Sequence, residues 1–277
     1  MTDDDQGLLT RLDRYFDTVP RSVTRTEEIG PFTLFINQGD GWRYYARPRP
    51  GETSFSADDV RTVLDRQREL DQPRQFEWVA DVAPGVGAAA ADAGLTIEDR
   101  PLMAMRAADF VPTPRPPGAE IRLLAPDDDL ATATAVAMIG FGAPGTSIGD
   151  AGVDRLPEMA AAIDPRTIEF ARTRMAARMT RLAVAIVDGV PVASGSHQPT
   201  GGVTEVTGVA CLPAFRRRGL GAAVTSALVA DALGDGVEAV CLSAGDDEIS
   251  RVYARVGFRE VGRVGEAVLA PEPAGDD

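Results

Sequence analysis

The 277-residue chain contains no lysine; all 28 of its basic residues are arginine. That absence excludes chemistry built on an ammonium side chain: a Walker A phosphate loop, a Schiff-base lysine or a lysine general base. Histidine occurs once, as His197, and cysteine twice, as Cys211 and Cys241. So few ligands argue against a structural zinc site, so no metal is expected, and they provide no disulfide framework. Against 28 arginines stand 42 acidic residues, for a formal net charge of -14. A surface this acidic has little basic area with which to displace counterions, so neither nucleic acid nor an anionic membrane is an expected partner. No apolar run approaches the ~20 residues of a membrane span. The acidic start, Asp3-Asp4-Asp5, lacks the positive charge and apolar centre of a signal peptide, and the expected compartment is the cytoplasm. Asparagine also occurs once, as Asn37, beside abundant Ala, Gly and Arg. The missing lysines therefore have a genomic reading in GC-rich codon usage, but they constrain mechanism all the same.

The length has room for two domains at ~150 residues each. Four prolines, Pro112, Pro114, Pro116 and Pro117, precede Gly118 and favour an extended linker over residues 112–118. The expected division is a first domain over 1–111, a second over 119–270 and an acidic tail over 271–277. In the first, Phe32–Asn37 and Trp42–Arg47 flank Gly39-Asp40-Gly41 and predict a hairpin. Part of an earlier helix is expected over Arg11–Phe16. Ser56 followed by Asp58 and Asp59 predicts a capped helix through Glu69, with Val60, Val63 and Leu64 on its inner face. Strands near Phe76–Val79 and Pro101–Met105 bracket an Ala-rich helix. The second half predicts β-α-α-β-β-β-α-β-α-β, with strands at 121–124, 182–187, 190–197, 204–212, 239–243 and 259–269. Both halves share a β-β-α-β-α-β order, as a diverged repeat would. The fold class is α/β with a mixed sheet.

The most informative stretch is Pro213-Ala214-Phe215-Arg216-Arg217-Arg218-Gly219-Leu220-Gly221-Ala222, in which a strand ends, three arginines follow and glycines open a helix. Free N–H groups of a first helical turn, the helix dipole and adjacent arginines together form a cradle for an anion such as phosphate.

Here the sequence resembles the GNAT superfamily of N-acetyltransferases. Arg216, Gly219 and Gly221 fit the family's pyrophosphate pattern, and Tyr253-Ala254-Arg255-Val256-Gly257-Phe258 fits its downstream Tyr-x-x-x-Gly-Phe. The resemblance covers about Ile121–Leu269; the first domain, which lacks both motifs, looks like a degenerate copy in a tandem GNAT-like fold. The resemblance implies acetyl-CoA as cofactor, released as coenzyme A. It implies a strand ending at Val209, Ala210 and Cys211 that splays from the next strand and holds the pantetheine arm. The N–H groups of Arg217, Arg218, Gly219, Leu220, Gly221 and Ala222 would hold the pyrophosphate, with the side chains of Arg216, Arg217 and Arg218 available for phosphate oxygens. It further implies Glu205 as the base that deprotonates the acceptor amine, and Tyr253 as the acid for the departing thiolate. Asp246 stands where the family often has Asn seven residues before the Tyr, which leaves that cofactor contact open. The implied activity is N-acetyl transfer to a primary amine of a small-molecule or peptide acceptor, by a monomer or homodimer. The alternative is a non-catalytic acyl-CoA-binding regulatory protein.

Gly219-x-Gly221 also fits a loose dinucleotide fingerprint with Glu238 as the ribose acid, but arginines rather than an apolar strand enter the turn, and Gly85-x-Gly87 fits as well. Cys211 is expected as a small buried residue rather than a nucleophile. His197 is expected either as a partly exposed polar group at a strand end or as a residue lining an acceptor pocket. Met175 and Met179 are expected to serve helix packing.

Overall fold

The computed structural model describes residues 3–39, 41–143 and 145–269. The chain forms two compact units, one comprising residues 1–102 and 261–277 and the other Met103–Glu260. The expected linker, 112–118, lies inside the second unit. There the Thr113 N–H donates to the Ser226 hydroxyl (2.9 Å) and the Val111 N–H to the Val256 carbonyl (3.1 Å). The expected acidic tail falls outside the described residues.

The first unit begins with α1 (Asp3–Arg21), followed by β1 (Thr24–Ile29), β2 (Phe32–Asn37) and the two-residue β3 (Arg47–Pro48) in one antiparallel sheet. The hairpin is thus β1–β2 across Gly30-Pro31, not the expected Phe32–Asn37 with Trp42–Arg47. Of the segment expected to pair with β2, only its end does so, Arg47 lying opposite Thr33 in β3; Ala46 bridges to Phe76 and Trp42 is 68 % exposed. β1 was hidden by its sequence, Thr-Arg-Thr-Glu-Glu-Ile, which has almost no apolar alternation to signal a strand. α2 (Ala57–Glu69) carries the expected Ser56 cap: the Asp59 N–H donates to the Ser56 hydroxyl (3.2 Å) and the Ser56 N–H to the Asp59 carboxylate (3.0 Å), a capping box. β4 (Gln75–Val79), α3 (Gly85–Asp92) and β5 (Thr96–Arg106) follow, and β11 (Arg259–Val268) lies between β4 and β5. Phe32, Leu34, Val60, Val63, Phe76, Trp78 and Val86 fill this unit's core.

In the second unit the strand order is β10-β9-β8-β7-β6, with β6 (Ala119–Leu123), β7 (Arg181–Val187), β8 (Val190–Thr200), β9 (Val203–Cys211) and β10 (Ala239–Ser243). β6 through β9 are antiparallel neighbours, whereas β9 and β10 run parallel, so the sheet is mixed as expected. α4 (Leu130–Phe141), the short α5 (Leu156–Ala161) and α6 (Pro165–Ala176) separate β6 from β7. α7 (Leu220–Gly234) joins β9 to β10, and α8 (Asp247–Ala254) leads into β11. Val136, Ile139, Ala183, Val192, Val206, Leu212, Leu220, Val224, Leu228 and Val240 form one continuous core between sheet and helices. No described helix is long and apolar enough to cross a membrane.

Candidate active site

β9 and β10 pair only from Val203↔Ala239 to Glu205↔Cys241. Beyond that pair β9 continues to Cys211 and β10 to Ser243 without a shared ladder, so the two strands fork at Glu205. On its other edge β9 slips against β8: Ser196 faces Thr207 and Ser194 faces Ala210, leaving Gly208 and Val209 opposite Gly195 alone. Gly208 takes a positive φ of +63°, as bulges of this kind require, and the bend falls where the fork opens.

β9 ends in a single turn, Pro213–Phe215, and the chain then enters α7 through Arg217 (φ +60°) and Gly219 (φ +78°). Gly219 is the N-cap in left-handed conformation, which disfavours any side chain, and no side chain caps the helix. The Ala223 N–H makes the first helical bond, to the Gly219 carbonyl (3.0 Å), so the N–H groups of Leu220, Gly221 and Ala222 have no intrahelical acceptor. A Cβ at Gly221 would meet only Val209, at an ordinary 3.7 Å, so packing within the chain does not demand glycine there.

The three arginines diverge. Arg217 and Arg218 are exposed and, among the described residues, neither joins an ion pair; Arg218 lies over the Phe215 ring at 5.2 Å. Arg216 is turned away from the helix start. Its Nη2 donates to the carbonyls of Gly140 (2.8 Å) and Ala143, and its Nη1 to that of Ser147 (3.2 Å). A cation on these carbonyls suits the negative end of the α4 dipole. The side chain expected to be available for phosphate oxygens is therefore engaged with α4 and the segment after it. α4 itself approaches closely at Gly140, where a Cβ would come within 2.9 Å of the Ala210 Cβ and 3.2 Å of the Cys211 carbonyl oxygen.

Side-chain alternation assigns the two faces of the sheet. His197 is fully buried, with Nδ1 3.0 Å from the Thr204 hydroxyl and Nε2 3.0 Å from Asp231 of α7, which also pairs with Arg181 at 2.9 Å. Burial lowers the His197 pKa, against the opposing pull of Asp231, so the ring is neutral. Its Nε2–H then donates to Asp231 while Nδ1 accepts from Thr204, a tautomer assigned from these partners. His197 and Thr204 thus face α7, and the expectation of a partly exposed or pocket-lining histidine is corrected. Glu205, the neighbour of Thr204, points to the opposite face and shares it with Gln198, its direct cross-strand partner.

Burial pushes the Cys211 thiol up to about 11, only partly offset by Arg216 and Arg218; the thiol is protonated and no nucleophile. The Cys241 thiol is also raised, by burial and then by the nearby charge of Glu205. Tyr253 on α8 is half-buried, its ring edge-on to Phe258 with centroids 6.1 Å apart, and burial pushes its phenol up to about 12. Asp246 caps α8 by accepting from the Ile249 N–H at 2.7 Å, a task an asparagine would perform equally well. Among the described residues no group of three or more His, Cys, Asp or Glu is placed to hold a metal ion.

No local signal in the sequence singles out Arg174 on α6. It is 9 % exposed, and its Nη2 donates to the Gln198 side-chain carbonyl at 3.0 Å. Met175, beside it, is buried, as expected of a packing residue.

Residues 155–258 match the family model described as "Acetyltransferase (GNAT) family". No curated protein sequence matches the chain. Among solved structures, a GCN5-related N-acetyltransferase from Kribbella flavida is 25 % identical, with a TM-score of 0.71 and 94 % of each chain covered. A GCN5-related N-acetyltransferase-like protein from Streptococcus suis shares the fold at 12 % identity and a TM-score of 0.52, covering 94 % of this chain and 97 % of that one. A tandem GNAT protein from the clavulanic acid biosynthesis pathway does so at 17 % identity and a TM-score of 0.54, covering 87 % and 80 %. Residues 155–258 thus resemble a GNAT acetyltransferase domain, within a fold shared almost end to end with a GCN5-related N-acetyltransferase.

Proposed function

We propose that the protein is an acetyl-CoA-dependent N-acetyltransferase acting on a primary amine of a small-molecule or peptide acceptor. The observation that carries this reading is the fork: β9 and β10 part at Glu205, and the strand that leaves the fork leads into an uncapped helix N-terminus flanked by two unpaired arginines. These residues fit an acyl-CoA. The N–H groups of Leu220, Gly221 and Ala222 and the side chains of Arg217 and Arg218 would hold its phosphates, and the edge of Val209, Ala210 and Cys211 that β10 leaves would hold its pantetheine arm. When bound, it supplies an activated acyl group as a thioester.

An alkylammonium with a pKa near ~10 is almost wholly protonated at neutral pH, so a base must first free its lone pair. Glu205 takes that proton on a carboxylate oxygen at the point where the strands part. The Tyr253 hydroxyl, raised to about 12, stays protonated over the working pH range and donates to the departing sulfur. The first unit, which lacks both motifs, is a degenerate GNAT-like scaffold in this reading.

The test combines calorimetry with an amine screen that follows release of free thiol. Acetyl-CoA should bind, and at least one amine should be acetylated. Glu205→Gln should lower kcat by about 10²–10⁴-fold and Tyr253→Phe by a smaller factor, without weakening acetyl-CoA binding. Binding with no transfer to any amine would instead establish a non-catalytic acyl-CoA-binding protein. Absence of binding would sink both readings.

A further inference from the structure

Two arginines are buried among the described residues, Arg47 and Arg174. Arg47 is ion-paired with Glu77. Arg174 has only neutral partners: its Nε donates to the Thr180 hydroxyl (3.0 Å), and its Nη2 to the Met179 carbonyl (3.4 Å) and the Gln198 side-chain carbonyl (3.0 Å). Its Nη1, with two N–H donors, is buried without any partner. The guanidinium lies 5.7 Å from the centre of the Phe170 ring, which helps to keep it dry. An uncompensated buried cation with an unmet donor pair is costly, and in a chain of net charge -14 it is anomalous. Its position is equally specific. Gln198, which holds it, is the cross-strand neighbour of Glu205 on the face opposite α7, so Gln198 links the Arg174 guanidinium to the face of the sheet that carries Glu205.

We propose that Arg174 is the acceptor's carboxylate site, and that the acceptor is therefore an amine that also carries a carboxylate: an amino acid or a closely related amino-carboxylate. This rests on the reading of Glu205 as the base that receives the amine. The two side chains present a zwitterion with its complement, guanidinium for carboxylate and carboxylate for ammonium. Charge balance selects the ligand. One carboxylate neutralises one guanidinium and accepts from the unmet Nη1, whereas a phosphate dianion would leave surplus negative charge beside Glu205. Because Thr180, Met179 and Gln198 take the Nε and Nη2 donors, the guanidinium is held in place with Nη1 left over, and little side-chain freedom is lost on binding.

The test is a calorimetric titration of the coenzyme A-saturated protein. The probes are the proteinogenic α-amino acids, β-alanine and 4-aminobutyrate, each compared with its carboxamide and its decarboxylated amine. At least one carboxylate member should bind tenfold to a hundredfold more tightly than its neutral counterparts, the range of a charge-assisted hydrogen-bonded pair. Arg174→Met should abolish the difference, and Arg174→Lys should retain part of it. In turnover, Arg174→Met should raise KM for the amino-carboxylate far more than it lowers kcat, with acetyl-CoA binding unchanged. The wild-type comparison decides the matter even if a variant fails to fold. Equal binding of acids and amides, no binding of any carboxylate, or a preference that survives Arg174→Met overturns the proposal. Carboxylate binding without acetyl transfer leaves this site standing and removes the transferase reading; transfer to amines with no preference for a carboxylate does the reverse.

Discussion

Arg216 occupies the first position of the pyrophosphate pattern, yet its guanidinium rests on the C-terminal carbonyls of α4 and the segment that follows. The reasoning predicts that Arg216→Met damages the protein before any ligand is present. Three hydrogen bonds to carbonyls are lost, at Gly140, Ala143 and Ser147. Bonds from charged donors contribute up to about 3 kcal/mol each when buried, but this side chain is only partly buried, so ~1 kcal/mol apiece and roughly 2–3 kcal/mol in all is the appropriate scale. For a unit of this size that lowers the apo melting temperature by about 5–10 °C. Acetyl-CoA affinity should fall as a consequence, because Arg216 fixes the loop that begins α7, but the salt dependence of binding should stay as in the wild type. Arg217→Met and Arg218→Met should behave oppositely: apo melting unchanged within error, with weaker binding and a shallower salt dependence. Differential scanning fluorimetry without ligand, and calorimetry at several salt concentrations, separate the two patterns. An Arg216→Met protein with wild-type apo stability and a flattened salt dependence would place the guanidinium on the phosphates and refute the assignment.

Gly140→Ala should destabilise by about 1–3 kcal/mol, because the new methyl meets the Ala210 Cβ at 2.9 Å and backbone of β9 beyond it. Gly234→Ala at the end of α7, where nothing lies within 4 Å, should be neutral or slightly stabilising in the same melting assay. His197 has a folded pKa below its ordinary 6.5, so the unfolded chain binds that proton more readily, and stability should fall as pH drops below about 6.5. Asp231 is raised by burial, but the hydrogen bonds from Arg181 and His197 outweigh this and leave it below its ordinary 3.8, so its stabilising contribution is lost only in stronger acid. Denaturant midpoints measured between pH 5 and 7 should show the slope, and His197→Gln should flatten it; an unchanged slope in the variant would exclude His197 as its source.

What was legible in the sequence is what local chemistry determines. Ser56 and Asp59 announce the start of α2 because both halves of a capping box lie within one turn. Gly219 announces the start of α7 because the motif is a strand end, a turn and a helix start in succession. The tight Asp188-Gly189 turn between β7 and β8 belongs to the same class, with both residues at positive φ as such turns demand. Tertiary partners were not legible. Arg174 sits on a helix of ordinary amphipathic composition, and only the fold brings Thr180 and Gln198 to it. His197 looked like a strand-end polar residue because Asp231, which buries it, comes from a helix far along the chain. Arg216 looked like its two neighbours, and nothing local distinguishes a guanidinium that turns back onto α4 from two that face solvent.

The return of β11 to the first unit has a consequence for the order in which the chain can fold. Val79 pairs with Val264 and Gln75 with Val268, so the strand between β4 and β5 is supplied from the far end of the sequence. The second unit, by contrast, is one uninterrupted stretch from Met103 to Glu260. During synthesis the first unit must therefore wait with an unfilled place in its sheet while the second condenses, a reversal of the usual order in which the N-terminal domain folds first. Closing so long a loop costs entropy that is recovered only once β11 inserts, which makes that insertion a slow and late event. Until then β4 and β5 expose the edges that β11 will cover, and the nascent chain is most prone to aggregate in this interval, before β11 is made.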